Sequence, residues 1–583
     1  MIWPGGMRLS RTDRIRVRSE ARTRITSRRR PPQRGQRPLV LACFTLAACG
    51  GDDAPPPVGE IGATVTHYDY RFDVESRAAH AAVTLTVDTE GDCVTLPFRG
   101  QELDAAGALV DGKPAVRVTL DAEALTVCGA GHRAGEQLTL EVDLVIPLQT
   151  VQTSQVGYSR SMDSAGNPFY YLVSWVGGCD RFGPCDNRPD QFATYTFHVT
   201  HPEALMVACS GVIANVSPTE TECAFDHPGG PTYSTFGVAA YPKAAWVATD
   251  KGMWGSVRAT VYDRPTTNIT AAIDPTHHAG FVTWMEQTFG PYPFGSELRV
   301  LTAPTYWNGF EHPGSIMLDD GLARATRPSY LHNTQHILDH EIAHQWAGDE
   351  TTLASTYDFV WKEAMAEYLT FVYEDMVEPQ AANVTAGAWR NFANGANYFP
   401  VPDDKPELFT YYGDVYGAGP MVLFRQIEVL SSRAQVIAAL QTLLGEPRAI
   451  SVDDVLAALE TSTGLDLDAY AAAWIHGTGA PEWPGVLATF TPGAETSTVR
   501  VQVVNGTERR CKFHVQLNGA NAAEYARVEV DTFRNGIDQT FTIPTPAFTV
   551  TSTLIDPFSE CLVYASALRR EKRLTHPWVA SDE

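Results

Sequence analysis

Two histidines four residues apart, His340 and His344, flank Glu341 in the run His340-Glu341-Ile342-Ala343-His344. On an α-helix, residues four apart lie one turn above each other on one face. Both imidazoles then reach one metal ion. Glu341 falls beside them, where it can take a proton from water activated by that ion. A third donor must come from elsewhere in the chain. The segment from Asp358 to Tyr368 is helix-compatible and carries Glu363, nineteen residues after His344. A second helix packed on the first brings this carboxylate to the metal. Two His and one Glu leave a fourth position for water, the layout of a catalytic zinc site. Glu367, one turn further on, is placed either to orient a ligand histidine or to sit as a solvated helix charge.

These residues need two packed helices, and the hydrophobic periods supply them. Helical spacing runs over His278 to Phe289, Asn333 to Ala347, Trp361 to Tyr373, Gly419 to Leu430, Val452 to Glu460 and Leu467 to Ile475. Before this block, residues 64–250 alternate as strands, as in Ala82-Val83-Thr84-Leu85-Thr86-Val87 and Gln137-Leu138-Thr139-Leu140-Glu141-Val142. Asp111-Gly112 and Gly229-Gly230 are turn signals between them. After about residue 485 alternation returns, in Thr498 to Val504 and Gln539 to Ile543. A chain of 583 residues is too long for one hydrophobic core.

With these residues in view, the sequence resembles the zinc aminopeptidases related to aminopeptidase N and leukotriene hydrolase. Their signature is His-Glu-x-x-His, eighteen residues, then Glu. Gln345-Trp346 and Gly348-Asp349 match its flanks. Asp358, Glu363 and Ala366 match its second motif. Lys362 stands where Asn is usual and Ala364 where Gly is usual. Upstream, Asn308-Gly309-Phe310-Glu311 is similar to the family's substrate segment. The resemblance makes Gly309, Phe310 and Glu311 substrate-binding, with Glu311 holding the free α-amino group. It makes Tyr416, in Asp414-Val415-Tyr416-Gly417, the catalytic donor to the oxyanion, with Tyr411 and Tyr412 as nearby rivals. Gly183 to Asp190 and Trp474 to Pro481 resemble the family's N-terminal domain and the end of its catalytic domain.

The expected fold is multidomain α+β: a β-rich N-terminal domain over 64–250, a thermolysin-like, mainly helical catalytic domain over 251–485, and a C-terminal β-sandwich over 486–565. A charged tail, 566–583, follows. The implied activity is hydrolysis of N-terminal residues from peptides with a free N-terminus. One Zn²⁺ per chain and Glu341 as general base carry it. The alternatives are a zinc endopeptidase with an open cleft, which the short chain suggests, an epoxide hydrolase of the leukotriene type, and a catalytically silent binding protein on this fold.

The first 38 residues hold twelve arginines and no lysine. A short apolar run from Leu39 to Ala48 follows, about half the length of a membrane span. Leu46-Ala47-Ala48-Cys49-Gly50 resembles a bacterial lipobox. Residues 1–48 are therefore expected to be a signal segment, Cys49 a lipid anchor, and 49–63 a tether. The expected location is the bacterial cell envelope, periplasmic or cell-surface, with the outer membrane preferred. Although residues 1–48 carry twelve arginines against two acids, the chain's formal charge is −24. This acidity speaks against nucleic acid as a partner. Eight cysteines lie beyond Cys49, an even number that suits disulfides outside the cytoplasm. Spacing and strand placement propose Cys93–Cys128, Cys179–Cys185, Cys209–Cys223 and Cys511–Cys561.

Overall fold

The computed structural model describes residues 58–565, other than 101, 150–155, 164, 228–236, 306 and 325–332. The leader, Cys49, most of the tether and the charged tail lie outside the described residues. No described helix is long and apolar enough to cross a membrane.

The N-terminal region is built from β-sheets. One has eight strands, with Gly62–Asp73 and Ala78–Thr89 at its centre. Their alternation is literal: Val83, Leu85 and Val87 point into a core while Thr84 and Thr86 sit in the half-buried layer. Gly62–Asp73 pairs in parallel with Thr194–Thr200 and antiparallel with Ala78–Thr89. A second sheet of five strands includes Pro168–Val173 and Gly237–Pro242. The segment from Gly183 to Asp190 is tied to the first sheet: Tyr70 Oη donates to Pro184 O at 2.6 Å, and Asp186 N donates to Tyr68 Oη at 3.1 Å.

A five-stranded mixed sheet comes next, in the order Val247–Trp254, Val257–Asp263, Glu297–Ala303, Ser315–Asp319, Gly309–Phe310. The short edge strand Gly309–Phe310 runs antiparallel to Ser315–Asp319. Helix α1 (Pro275–Phe289) starts with Pro275 at its first position and an Asp274 side chain that accepts from Thr276 N. Both are ordinary start signals. Helices α2 (Asn333–Ala343) and α3 (Phe359–Val377) form the centre of the helical region. Helix α4 (Pro379–Ala393) packs beside α3. Helix α5 (Val415–Pro420) runs on through a π-turn over Met421–Arg425 into α6 (Gln426–Leu430).

Most predicted helices appear within a few residues of their expected ends. The helix expected over Asn333 to Ala347 stops at Ala343. His344 N still bonds to His340 O, but Gln345 N and Trp346 N turn to the carbonyls three residues back. Gly348 then takes φ +136°, where a side chain would be strained. The chain therefore bends away directly after the second histidine.

The C-terminal region has a four-stranded sheet containing Gly485–Thr491, Thr496–Asn505 and Asp538–Pro544, and a three-stranded sheet of Lys512–Asn518, Tyr525–Asp531 and Ser552–Ile555. Val499 and Val501 from one and Phe513, Val515 and Leu517 from the other are buried in a shared core. Trp483 Nε1 donates to Ala393 O at 2.7 Å, and Leu562 N to Gln426 Oε1 at 2.9 Å, which seats this region on α4 and α6.

All four proposed disulfides are present: Cys93–Cys128, Cys179–Cys185, Cys209–Cys223 and Cys511–Cys561. The last spans 50 residues, the longest loop of the four. By chain entropy, closing such a loop stabilises by about 4 kcal/mol. Replacing Cys511 and Cys561 by Ser together is expected to lower unfolding free energy by that order, read as a drop in the urea midpoint.

Candidate active site

Helices α2 and α3 are buried along most of their length, yet they bury eight histidine, lysine and acidic side chains: His336, Asp339, His340 and Glu341 on α2, and Lys362, Glu363, Glu367 and Glu374 on α3. Buried charges are tolerated only when paired or bound to a metal. Their pairings therefore define the site.

His340, His344 and Glu363 converge as the sequence spacing requires. The two Nε2 atoms are 3.0 Å apart, and Glu363 Oε2 lies 3.4 Å from each. A tetrahedral ion with ligands at about 2.0–2.1 Å separates neighbouring ligand atoms by about 3.3 Å. The triangle matches that spacing. His344 Nδ1 faces the carbonyl of Ala347 at 3.0 Å, which assigns its proton there and turns the Nε2 lone pair inward. His340 Nδ1 faces Glu367 Oε1 at 3.5 Å. At 3.0 Å the two Nε2 atoms can share a proton or hold a metal ion between them. Burial first, then the Lys362 ammonium, holds the His344 pKa below its ordinary value, so the imidazole is neutral as a ligand must be. The donor set and its geometry fit one zinc ion.

Behind the triangle runs a buried polar chain. Trp389 Nε1 donates to Glu367 Oε2 at 2.7 Å, and His336 faces Glu367 at 3.4 Å and Glu374 at 2.7 Å. Thr385 Oγ1 donates to Glu374 at 2.9 Å. Against burial, Glu374 and then Glu367 push the His336 pKa up to about 10. His336 is thus a buried cation that balances Glu367, which in turn faces His340. Glu367 is no solvated surface charge.

Glu341 lies against the edge strand, in the cavity. A Cβ on Gly309 would come within 2.2 Å of Glu341 Oε1, so only glycine permits this approach. Burial first, then Glu311 and Glu363, raises the Glu341 carboxyl well above its usual pKa; a cation between the imidazoles acts in the opposite sense. Glu311 is brought to the same cavity. Gln345 fixes its turn: Nε2 donates to Glu311 O at 2.6 Å, while Oε1 accepts from Gly314 N and Tyr292 Oη, each at 2.8 Å. Phe310 lines the cavity and stacks on His312 with centroids 5.3 Å apart.

Tyr416 and Tyr412 both line the cavity, and their hydroxyls are 2.6 Å apart. Burial, then Glu363, raises both phenols well above their ordinary pKa, so both stay protonated donors. Tyr411 packs instead against Tyr357 and Tyr398 and does not line the cavity. The cavity also contains Trp175 and Trp307, which sequence reasoning did not identify. Trp175 comes from the loop after strand Pro168–Val173 and packs on Phe359 and Phe409, each at 5.0 Å. Nothing local in the sequence marks it. Among the described residues the cavity holds only about 20 Å³, little more than one water.

Lys362 is the other residue whose contacts went unforeseen. Its Nζ donates to Glu311 Oε1 at 2.6 Å and to Glu363 Oε1 at 2.9 Å. The available signal was a lysine in an otherwise apolar stretch, next to a metal-ligand glutamate.

A β-rich N-terminal region, a helical core with a buried two-histidine, one-glutamate triangle, and C-terminal sheets together define a zinc metallopeptidase fold. Residues 276–474 match the peptidase family M1 domain, and the chain carries that domain. It is 23% identical over 456 residues to an aminopeptidase N of Streptomyces lividans, covering 73% of this chain and 50% of that protein. It is 21% identical over 355 residues to a leukotriene A-4 hydrolase of Xenopus laevis, covering 59% and 56%. The chain thus spans about half the length of these relatives. Among solved structures, a Legionella pneumophila aminopeptidase A in complex with aspartic acid superposes with a TM-score of 0.67 at 14% identity, covering 88% of this chain and 60% of that one. The M1 zinc metallopeptidase of Deinococcus radiodurans gives 0.57 at 19% identity, covering 72% and 96%.

Removing an outer partner of a metal-bound histidine typically costs 10–100-fold in metal affinity. Glu367→Ala is accordingly expected to weaken zinc binding by roughly that factor, measured by competition with a chromogenic chelator.

Proposed function

We propose that this chain is a zinc-dependent aminopeptidase that removes N-terminal residues from peptides. The observation that carries the reading is the convergence of His340, His344 and Glu363 in one cavity that Glu341, Glu311 and Tyr416 also line. Sequence likeness to an aminopeptidase N supports it.

The chain's residues divide the work. His340, His344 and Glu363 hold the ion, which when bound acidifies water and polarises a carbonyl. Glu341 accepts the proton of the attacking water and delivers it to the leaving amine. Its place against Gly309 keeps it at the reacting centre. Tyr416, paired with Tyr412, donates a hydrogen bond to the developing oxyanion. Glu311 holds the substrate's α-ammonium and so sets the first peptide bond at the ion. Gly309 and Phe310 supply the strand edge along which that residue lies. The rings of Trp175, Trp307 and Tyr412 line the same cavity and border the space a substrate would enter.

We further propose that the chain is exported and held on the bacterial envelope through a lipid on Cys49. The four disulfides fit an oxidising compartment.

Glu341→Gln is expected to retain stoichiometric zinc and lose hydrolysis by several orders of magnitude; an active, zinc-loaded variant would overturn the assignment. Chelation should abolish wild-type cleavage and zinc restore it. Efficient cleavage at bonds several residues in from the N-terminus, in free and N-acetylated peptides alike, would transfer the reading to an endopeptidase. For the anchor, labelled fatty acid should enter the wild-type chain in an expressing bacterium and be absent from Cys49→Ser.

A further inference from the structure

The resemblance expects asparagine at position 362, and the lysine found there sits in a built position. Its side chain is 2% exposed. Its stem runs past Gly348, where an added Cβ would lie 2.7 Å from Lys362 Cε and 2.9 Å from Cγ. The bend after His344 thus leaves the space that the stem fills. At the tip, Nζ donates to Glu311 Oε1 at 2.6 Å and to Glu363 Oε1 at 2.9 Å. Glu363 turns its other oxygen, Oε2, toward the two histidines. The ammonium therefore lies between the ion's carboxylate ligand and the carboxylate assigned to the substrate's amine.

We propose that Lys362 is a specificity-determining residue: a tethered ammonium that already pairs with Glu311 and weakens this chain's preference for peptides with a protonated N-terminus. The inference rests on the aminopeptidase reading above. A carboxylate already neutralised by a 2.6 Å ion pair attracts a second cation weakly. An incoming α-ammonium on Glu311 must also approach Nζ closely, in a site with little water to screen two like charges. A capped or otherwise neutral N-terminus meets no such repulsion. Substrates without an N-terminal charge are therefore handled almost as well as free ones, and the free amine adds little affinity.

Lys362 also braces Glu363, and a purely positioning role makes a different forecast. It predicts weaker metal binding on substitution, with amine recognition unchanged. The experiment compares wild type with Lys362→Asn and Lys362→Met; methionine keeps an apolar stem over Gly348. KM and kcat are measured for a leucine amide substrate and its N-acetyl form, together with zinc affinity. Calorimetry on the zinc-loaded proteins, each in the inactive Glu341→Gln background, measures binding of leucine amide against its deaminated analogue. Expected is a KM for the free amine at least tenfold lower in both variants, an unchanged KM for the acetylated form, and a matching gain in amine binding. With Lys362 in place, the amine should improve binding less than tenfold over the deaminated analogue; a larger factor overturns the proposal even if neither variant folds. Variants with an unchanged free-to-acetyl ratio and unchanged amine binding overturn it as well and leave Lys362 a brace for Glu363. If no protein cleaves either substrate, the aminopeptidase reading fails, and the binding data still decide the role of Lys362.

Discussion

The structure is organised around two imidazoles whose Nε2 atoms meet 3.0 Å apart inside a buried helix pair. With Glu363 they frame a space that fits a metal ion, and the surrounding carboxylates suit a cation there. Glu311, Glu341, Glu363, Glu367 and Glu374 cluster around α2 and α3 with Lys362 and His336 as their buried cationic partners. Five carboxyl groups against two cations leave an excess of acidic groups in a poorly solvated volume. A divalent ion offsets that excess. Folding of the helix pair and metal binding are thus linked: the triangle holds the ion, and the ion makes the triangle tolerable.

Positioning this cluster takes all three regions of the fold. The mixed sheet places its edge strand so that Gly309 backbone, rather than a side chain, faces Glu341. Gln345, one residue past the second histidine, holds the turn carrying Glu311 through its amide nitrogen and its amide oxygen. The N-terminal sheets contribute Trp175, which closes one side of the cavity against Phe359 and Phe409. The C-terminal sheets make no cavity wall. They seat Trp483 against the end of α4, the helix whose Trp389 holds Glu367. A perturbation far from the ion can therefore reach His340 through Trp389 and Glu367.

Legibility from sequence followed the range of the interactions. The ligand set was readable because two ligands share one helical face, and the third sits at a spacing that a helix hairpin reproduces. Strand alternation and helical periods located most elements, since each reflects a single buried face. Glu367 stood undecided between an exposed and an orienting role until its partners His336 and Trp389, 31 and 22 residues away, were in place. The end of α2 was overestimated because apolar spacing continues through Trp346, while the bend is imposed by Gly348 and the turn onto strand Thr351–Leu353. Trp175 was invisible for the same reason. It reaches the cavity from another region, and no local pattern separates it from other buried aromatics. Lys362 was visible as a departure, but its meaning lay in Glu311, 51 residues upstream.

That departure shows how stability and recognition are joined at one point. Glu311 and Glu363 are nearly inaccessible to water, and each would bear a large desolvation cost if left unpaired. In a site with a neutral residue at position 362, the compensating charge for Glu311 must arrive with the substrate, so the empty site is strained and the amine is strongly recruited. Here Lys362 supplies that charge permanently. The resting site is better satisfied, and an incoming ammonium has less to gain. The same ion pair that lets two carboxylates stay buried before substrate arrives is what lowers the reward for binding a free N-terminus. An internal cation thus exchanges substrate affinity for a stable empty site, without altering a single metal ligand.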